Sequence, residues 1–132
     1  MTIDRSTDLA AIEAMAQAAF QTIPAVLRDQ VKSVVFQVVE LPDVETCDEL
    51  GLESPFDLLG LYRGVPISEQ SAWDTPQDLD RIFLYRLPIL RYVEDTGEDV
   101  SYVVRHVLIH EIGHHFGLSD DDMERIEAAA EN

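Results

Sequence analysis

The sequence is short of positive charge, of cysteine and of long apolar runs. Nine basic residues stand against 26 acidic ones, which gives a formal net charge of −17. Such a surface repels phosphate backbones and anionic lipid headgroups, so nucleic acid and membranes are excluded as expected partners. Cys47 is the single cysteine, and this excludes a disulfide within the chain.

Segments that would direct the chain into or across a membrane are also missing. No apolar run approaches the ~20 residues that span a bilayer, and the opening MTIDRSTDLA lacks the basic start and apolar core of a secretory signal. We therefore expect a cytoplasmic protein. The 132 residues are 46% hydrophobic and contain no repeat, which predicts a single globular domain over residues 1–132.

The segment HEIGHHFGLSD, residues 110–120, places metal-binding side chains at fixed offsets. Residues four apart share one face of an α-helix, with Cβ atoms ~5 to 6 Å apart, so His110 and His114 can bind one ion. Two histidines at this spacing suit zinc. Glu111 lies ~100° around the helix from His110. It can reach a water at the metal without occupying a ligand position, which predicts a general base.

A catalytic zinc site needs three protein ligands and one open position, so a third ligand should follow the helix. Gly117 can take the left-handed conformation that ends a helix, and the chain can then turn back so that Asp120 offers a carboxylate oxygen. We therefore predict one Zn²⁺ per chain, bound by His110, His114 and Asp120. His106, four residues before His110, is predicted to be a surface residue.

Apolar periodicity predicts a small sheet flanked by helices. Apolar residues at three- and four-residue steps from Leu9 predict an N-terminal helix capped by Ser6 or Thr7. Runs rich in β-branched and aromatic residues predict three strands, of which the first is expected to be central. The strands lie at residues 34–39, 58–62 and 82–85, and residues 65–67 are expected to return as a hairpin with the second strand. Loops are expected at 43–55, with one helical turn near Glu49, and at 68–80.

A long helix is predicted from about Glu98, with acidic residues in its first turn, where the helix dipole favours them. An apolar stripe roughly opposite the histidines should anchor this helix in the core, and it consists of Val104, Leu108, Ile112 and Phe116. After Asp120, the pattern predicts a short terminal helix capped by Ser119 or one of the aspartates. The histidines would thus stand on a helix held by its opposite face.

With this motif and these strands, the chain resembles the small bacterial zincin-like metallopeptidases called minimal Asp-zincins, in which an aspartate is the third zinc ligand. The segments LLGLYRGVPISEQS and RIFLYRLPIL also look like a strand-hairpin and following strand of that family. The resemblance implies an α+β fold, in which a small, mostly antiparallel or mixed sheet packs on an N-terminal helix and a long active-site helix, with a short C-terminal helix. It implies zinc at His110, His114 and Asp120, with Glu111 as the base.

The leading prediction is a zinc-dependent peptidase that hydrolyses peptide bonds through a metal-activated water, with Glu111 as the general base. Its expected substrates are peptides or unfolded proteins, because a domain of 132 residues has little chain left to form both sides of a cleft for a folded substrate. The alternative is a non-catalytic zinc-binding domain whose acidic surface holds a protein partner. A third reading is an interaction module whose helix no longer binds metal. The zinc-binding domain would keep every ligand but has no use for Glu111, and intact ligands and base in one motif argue against the metal-free module. The oligomeric state is left open.

Overall fold

The computed structural model describes residues 7–30, 34–64 and 81–130. Within these ranges the helices are α1 (Leu9–Phe20), α2 (Ala25–Gln30), α3 (Val44–Leu50), α4 (Arg86–Thr96), α5 (Val100–Phe116) and α6 (Asp120–Ala130). The strands are β1 (Val35–Val39), β2 (Gly60–Arg63) and β3 (Arg81–Tyr85). Among the described residues, no helix is long and apolar enough to cross a membrane.

The three strands form a mixed sheet in the order β1-β3-β2. β3 pairs in parallel with β1 and antiparallel with β2. The central strand is therefore β3, and the prediction of a central strand at residues 34–39 was wrong. Ile82 and Leu84 of β3 are fully buried, whereas Val35 and Gln37 of β1 are exposed. A β-branched run favours a strand, but its position depends on pairing with distant segments.

The core is built around α5, which is contacted by α1, α4, α6, β2 and β3. Its stripe of Val104, Leu108 and Ile112 is at most 2% exposed, and Phe116 packs against it while partly buried. The predicted anchoring stripe is therefore confirmed. Each fully buried side chain of this size contributes roughly 1.5 to 3 kcal/mol of apolar transfer free energy, so α5 is a rigid support for the side chains that it carries.

Aspartates cap the starts of α1, α3 and α5. Asp8 caps α1, because its carboxylate accepts a hydrogen bond of 2.8 Å from the N–H of Ala11, so the predicted cap at Ser6 or Thr7 was wrong. Asp99 caps α5 in the same way. The acidic residues before α5 thus lie outside its first turn, contrary to prediction. A capping carboxylate satisfies an N–H that has no partner within the helix.

The predicted loop at residues 43–55 contains α3. Asp43 accepts a 2.8 Å hydrogen bond from the N–H of Thr46, and Gly51 ends the helix with a φ of 66°. This helix is longer than the single turn predicted near Glu49, because its caps rather than an apolar stripe define it. After β3, α4 includes Pro88 in its first turn, where a missing N–H breaks no helical hydrogen bond. The strand and loop expected at 65–67 and 68–80 lie outside the described residues.

Strand β2 lies directly against α5. A Cβ atom built on Gly60 would lie 2.4 Å from Cγ1 of Val107 and 3.4 Å from Cγ of Glu111. The first distance is far below ordinary van der Waals contact, so glycine is required for this close approach. The contact brings the backbone of β2 to the side chain of Glu111.

Replacing Gly60 tests this contact. Gly60→Ala should lower the free energy of unfolding by about 1 to 3 kcal/mol, the usual cost of an added methylene in a filled site. Val107→Ala removes the methyl group that the new Cβ meets, so the double variant should lose less stability than the sum of the two single variants. Urea unfolding of the four proteins measures this coupling. A neutral Gly60→Ala, or strictly additive losses, would contradict the proposed close approach.

Candidate metal centre

The predicted metal-binding residues stand where α5 ends and α6 begins. Gly117 ends α5 in the left-handed conformation with a φ of 68°, as predicted. Its N–H donates to the carbonyl of His114 at 3.2 Å, and the N–H of Leu118 donates to the carbonyl of Gly113 at 2.9 Å. These bonds satisfy carbonyls at the end of α5 and reverse the chain, so that α6 starts three residues later, at Asp120.

Two contacts set the position of α6. The Ser119 hydroxyl accepts a 3.2 Å hydrogen bond from the N–H of Asp122 and lies 3.0 Å from its carboxylate, which confirms the predicted cap at Ser119. Met123 is 2% exposed and packs on Gly113, where a Cβ atom would lie 2.5 to 2.8 Å from three of its side-chain atoms. A glycine on α5 therefore lets α6 run back close along it.

Glu111 is the buried acid of this region, with only 8% of the residue exposed. Its Oε1 atom lies 3.2 Å from Nδ1 of His114, and its carboxylate accepts a hydrogen bond from the backbone N–H of Tyr62 on β2. Burial raises the pKa of Glu111 above its ordinary value, while His114 and the Tyr62 N–H oppose the rise. The carboxyl group is thus fixed between α5 and β2, with its pKa raised by burial.

His110 is half-buried, whereas His114 and Asp120 are exposed. Burial lowers the pKa of His110, and the ring of His106 acts in the same direction. The neutral imidazole is the form that binds a metal. His110 and Asp120 line one cavity of about 460 Å³, but the ring of His114 is turned to Glu111. The structure therefore gathers the predicted residues at one turn without placing all three in a single cluster.

A different set of metal-binding side chains does form a cluster. In the described ranges, the ligand atoms of His106, His110 and Glu127 all lie within 4.8 Å of one another. His106 is exposed, as predicted, but its Nδ1 atom lies 2.6 Å from Oε1 of Glu127, and its ring centroid lies 4.3 Å from that of His110. Sequence reasoning missed this cluster, although the four-residue step from His106 to His110 repeats the step to His114.

A groove of about 340 Å³ opens beside α5 on the side of β2. Gly60 of β2 and the preceding Leu59 line one side of it, and Tyr102, His110 and Glu111 line it from the helix. β2 is an edge strand of the sheet formed by the described residues. A chain segment lying in this groove would therefore pass both the start of β2 and the buried carboxyl group.

Residues 31–130 match the family model described as zincin-like metallopeptidase. The match covers most of the chain, and the chain belongs to this family. No significant match was found among curated proteins. The predicted α+β fold is confirmed, with a small mixed sheet and a long helix carrying the motif. Membership in a zincin family implies zinc as the cofactor.

The side chains at the end of α5 fit such an ion. His110 and His114 supply imidazole nitrogens and Asp120 a carboxylate, which are donors that zinc prefers. Burial lowers the pKa of His110 and so favours its neutral form. The contact of His114 with Glu111 uses Nδ1, so Nε2 is the nitrogen that would bind the metal. The chemistry of these donors and the implied cofactor agree.

The role of Asp120 can be separated from that of its neighbours. Mutating a residue that only contacts a metal ligand usually lowers metal affinity by roughly 10- to 100-fold. Asp120→Ala removes a ligand itself and should therefore lower the affinity for zinc by more than this. Asp121→Ala is the matched control, because Asp121 is also exposed and carries the same charge. Asp122 is less suitable, since it contacts Ser119 at the helix cap. Zinc titrations of both variants decide the assignment, and equal losses would refute it.

Proposed function

We propose that the protein is a zinc-dependent peptidase that hydrolyses peptide bonds in short or unfolded chains. His110, His114 and Asp120 hold one Zn²⁺, and Glu111 is the general base. The observation that carries this proposal is the buried Glu111 carboxyl group, which stands beside two histidines and lines a groove that begins at the edge strand β2. A site that served only to hold a metal would gain nothing from burying an acid there, because burial disfavours its charged form.

When bound, zinc would supply Lewis acidity to the scissile carbonyl and to a water molecule. Glu111 would take a proton from that water on its carboxylate and pass it to the leaving amine nitrogen. Its raised pKa suits this exchange, because a base works best when its pKa lies near the operating pH. The contacts with His114 and the Tyr62 N–H hold the carboxylate in one place, which reduces the entropic cost of reaching the transition state.

The groove beside β2 suits an extended substrate. A peptide can add to the edge of a sheet through backbone hydrogen bonds, and this mode requires little from its side chains. In the described sheet, β2 pairs with β3 on one side only, and Gly60 at its start lines the groove. Gly60 keeps the strand close to α5. A peptide in the groove would therefore be carried past Glu111 and His110.

Glu111→Gln distinguishes a peptidase from a domain that only binds zinc. The variant should keep its fold and its zinc, because Glu111 is not assigned as a ligand. Peptide hydrolysis should fall by about 10² to 10⁴-fold, the usual contribution of a general base. Glu13→Gln is a charge-matched control at an exposed position of α1 and should cleave as fast as the parent protein. Undiminished cleavage by Glu111→Gln would exclude the proposed mechanism.

The acidic surface should favour basic substrates. Glu98 lines the groove, and Asp120 and Glu124 line the neighbouring cavity, within a protein of net charge −17. A Lys-rich form of one unstructured peptide should be cleaved faster than a Glu-rich form at low salt, by about tenfold or more. The difference should shrink near 1 M salt, where the screening length is about 3 Å. Rates that respond to neither charge nor salt would leave the acidic surface without a part in substrate choice.

A further inference from the structure

We propose that α5 and α6 form a second site for a divalent transition-metal cation such as Zn²⁺, bound by His106, His110 and Glu127. This site shares His110 with the zinc site proposed above. The second site is inferred only from the observed cluster of ligand atoms and does not depend on the proposed peptidase function. Only its competition with the first site rests on the proposed function.

The two sites follow from how the two helices lie together. His106, His110 and His114 are spaced four residues apart, so they form one row along α5 with a rise of about 6 Å per step. α6 runs back along α5, since Met123 meets Gly113 and Glu127 meets His106. Asp120 and Glu127 are seven residues apart, about two turns of α6, and therefore lie on the same face. Glu127 thus lies beside the pair of His106 and His110, and Asp120 lines the same cavity as His110.

The distances already approach those of a bound ion. Zinc with tetrahedral bonds of about 2.0 to 2.1 Å holds its ligand atoms roughly 3.4 Å apart. The ligand atoms of the three residues all lie within 4.8 Å of one another, and His106 and Glu127 are already in contact at 2.6 Å. Side-chain movements of about 1 Å would therefore complete the site. The cation would replace the proton that now joins the imidazole and the carboxylate.

A cation can reach this cluster from solvent. The side chain of His106 is 46% exposed, while that of Glu127 is 14% exposed. The cluster borders the 460 Å³ cavity that Asp120 and Glu124 also line. These carboxylates should raise the local concentration of cations. Coordination to a cation would pair the negative charge of the partly buried Glu127. This lowers the free-energy cost of burying that carboxylate.

His110 makes the two sites compete. When the His110 imidazole binds an ion held by His106 and Glu127, it lies toward the C-terminal part of α6. The first site needs the same imidazole beside His114. Occupation of the second site should therefore lower the affinity of the first. Zinc in excess would then inhibit the peptidase, and loss of either His106 or Glu127 would relieve that inhibition.

The second site can be tested without any catalytic activity. The double variant His114→Ala/Asp120→Ala removes two of the three proposed ligands of the first site and leaves His106, His110 and Glu127. Calorimetric titration with Zn²⁺ should show about one bound ion per chain. Adding His106→Ala or Glu127→Gln to this background should weaken binding by about tenfold or more, since a direct ligand is lost. The visible absorption of bound Co²⁺ should fall in parallel.

Glu124→Gln is the matched control, because Glu124 lines the same cavity and carries the same charge but lies outside the cluster. It should change zinc affinity by no more than about threefold, as expected for a long-range charge. Circular dichroism of each variant shows whether α6 remains folded. If the double variant binds no zinc, or binds it equally well without His106 and Glu127, the second site does not exist.

Competition has a separate readout in the parent protein. Excess Zn²⁺ should inhibit peptide cleavage, and Glu127→Gln should shift this inhibition to zinc concentrations about tenfold higher or more. Unchanged inhibition in Glu127→Gln would overturn the competition. If the parent protein cleaves no peptide, the proposed function fails, whereas zinc binding by the double variant still decides whether the second site exists.

Discussion

The close packing of α5 against its neighbours is the constraint on which the rest of the structure depends. Gly60 lets β2 approach until it meets Val107 and Glu111, and Gly113 lets α6 approach until it meets Met123. Both contacts lie at the level of the metal-binding motif. Because the apolar stripe of α5 is buried in the core, the helix cannot shift to relieve them. The candidate site is therefore assembled from α5, β2 and α6, and two glycines allow these elements to lie close together.

The features of the fold that depend on neighbouring residues in the sequence could be predicted. Gly117 marks the reversal and the four-residue steps mark the buried face of α5, so the turn and the apolar stripe were predicted correctly. The order of the strands could not be predicted in the same way. β3 is central because of its pairing with residues 35–39 and 60–63, and such pairing leaves no mark in the composition of a single strand.

The same distinction applies to the candidate site. The offsets of His110, Glu111, His114 and Asp120 are visible within eleven residues, whereas the contact between Glu111 and the Tyr62 N–H joins segments 49 residues apart. The cluster of His106 with Glu127 spans 21 residues and two helices. Its signal was the four-residue step from His106 to His110, but the carboxylate that completes it becomes visible only when α6 is seen to run back along α5.

The placement of both carboxylates on α6 links cation binding to the order of that helix. Met123 is its one buried anchor among the described residues, and Ile126 and Glu127 are partly buried, so α6 has a small apolar contact area and a low local stability. An ion bound through Asp120 or Glu127 would add its binding free energy to the folding of this segment. Chelation would then loosen α6 well before the core unfolds, and amide hydrogen exchange along α6 would report the metal content of the protein.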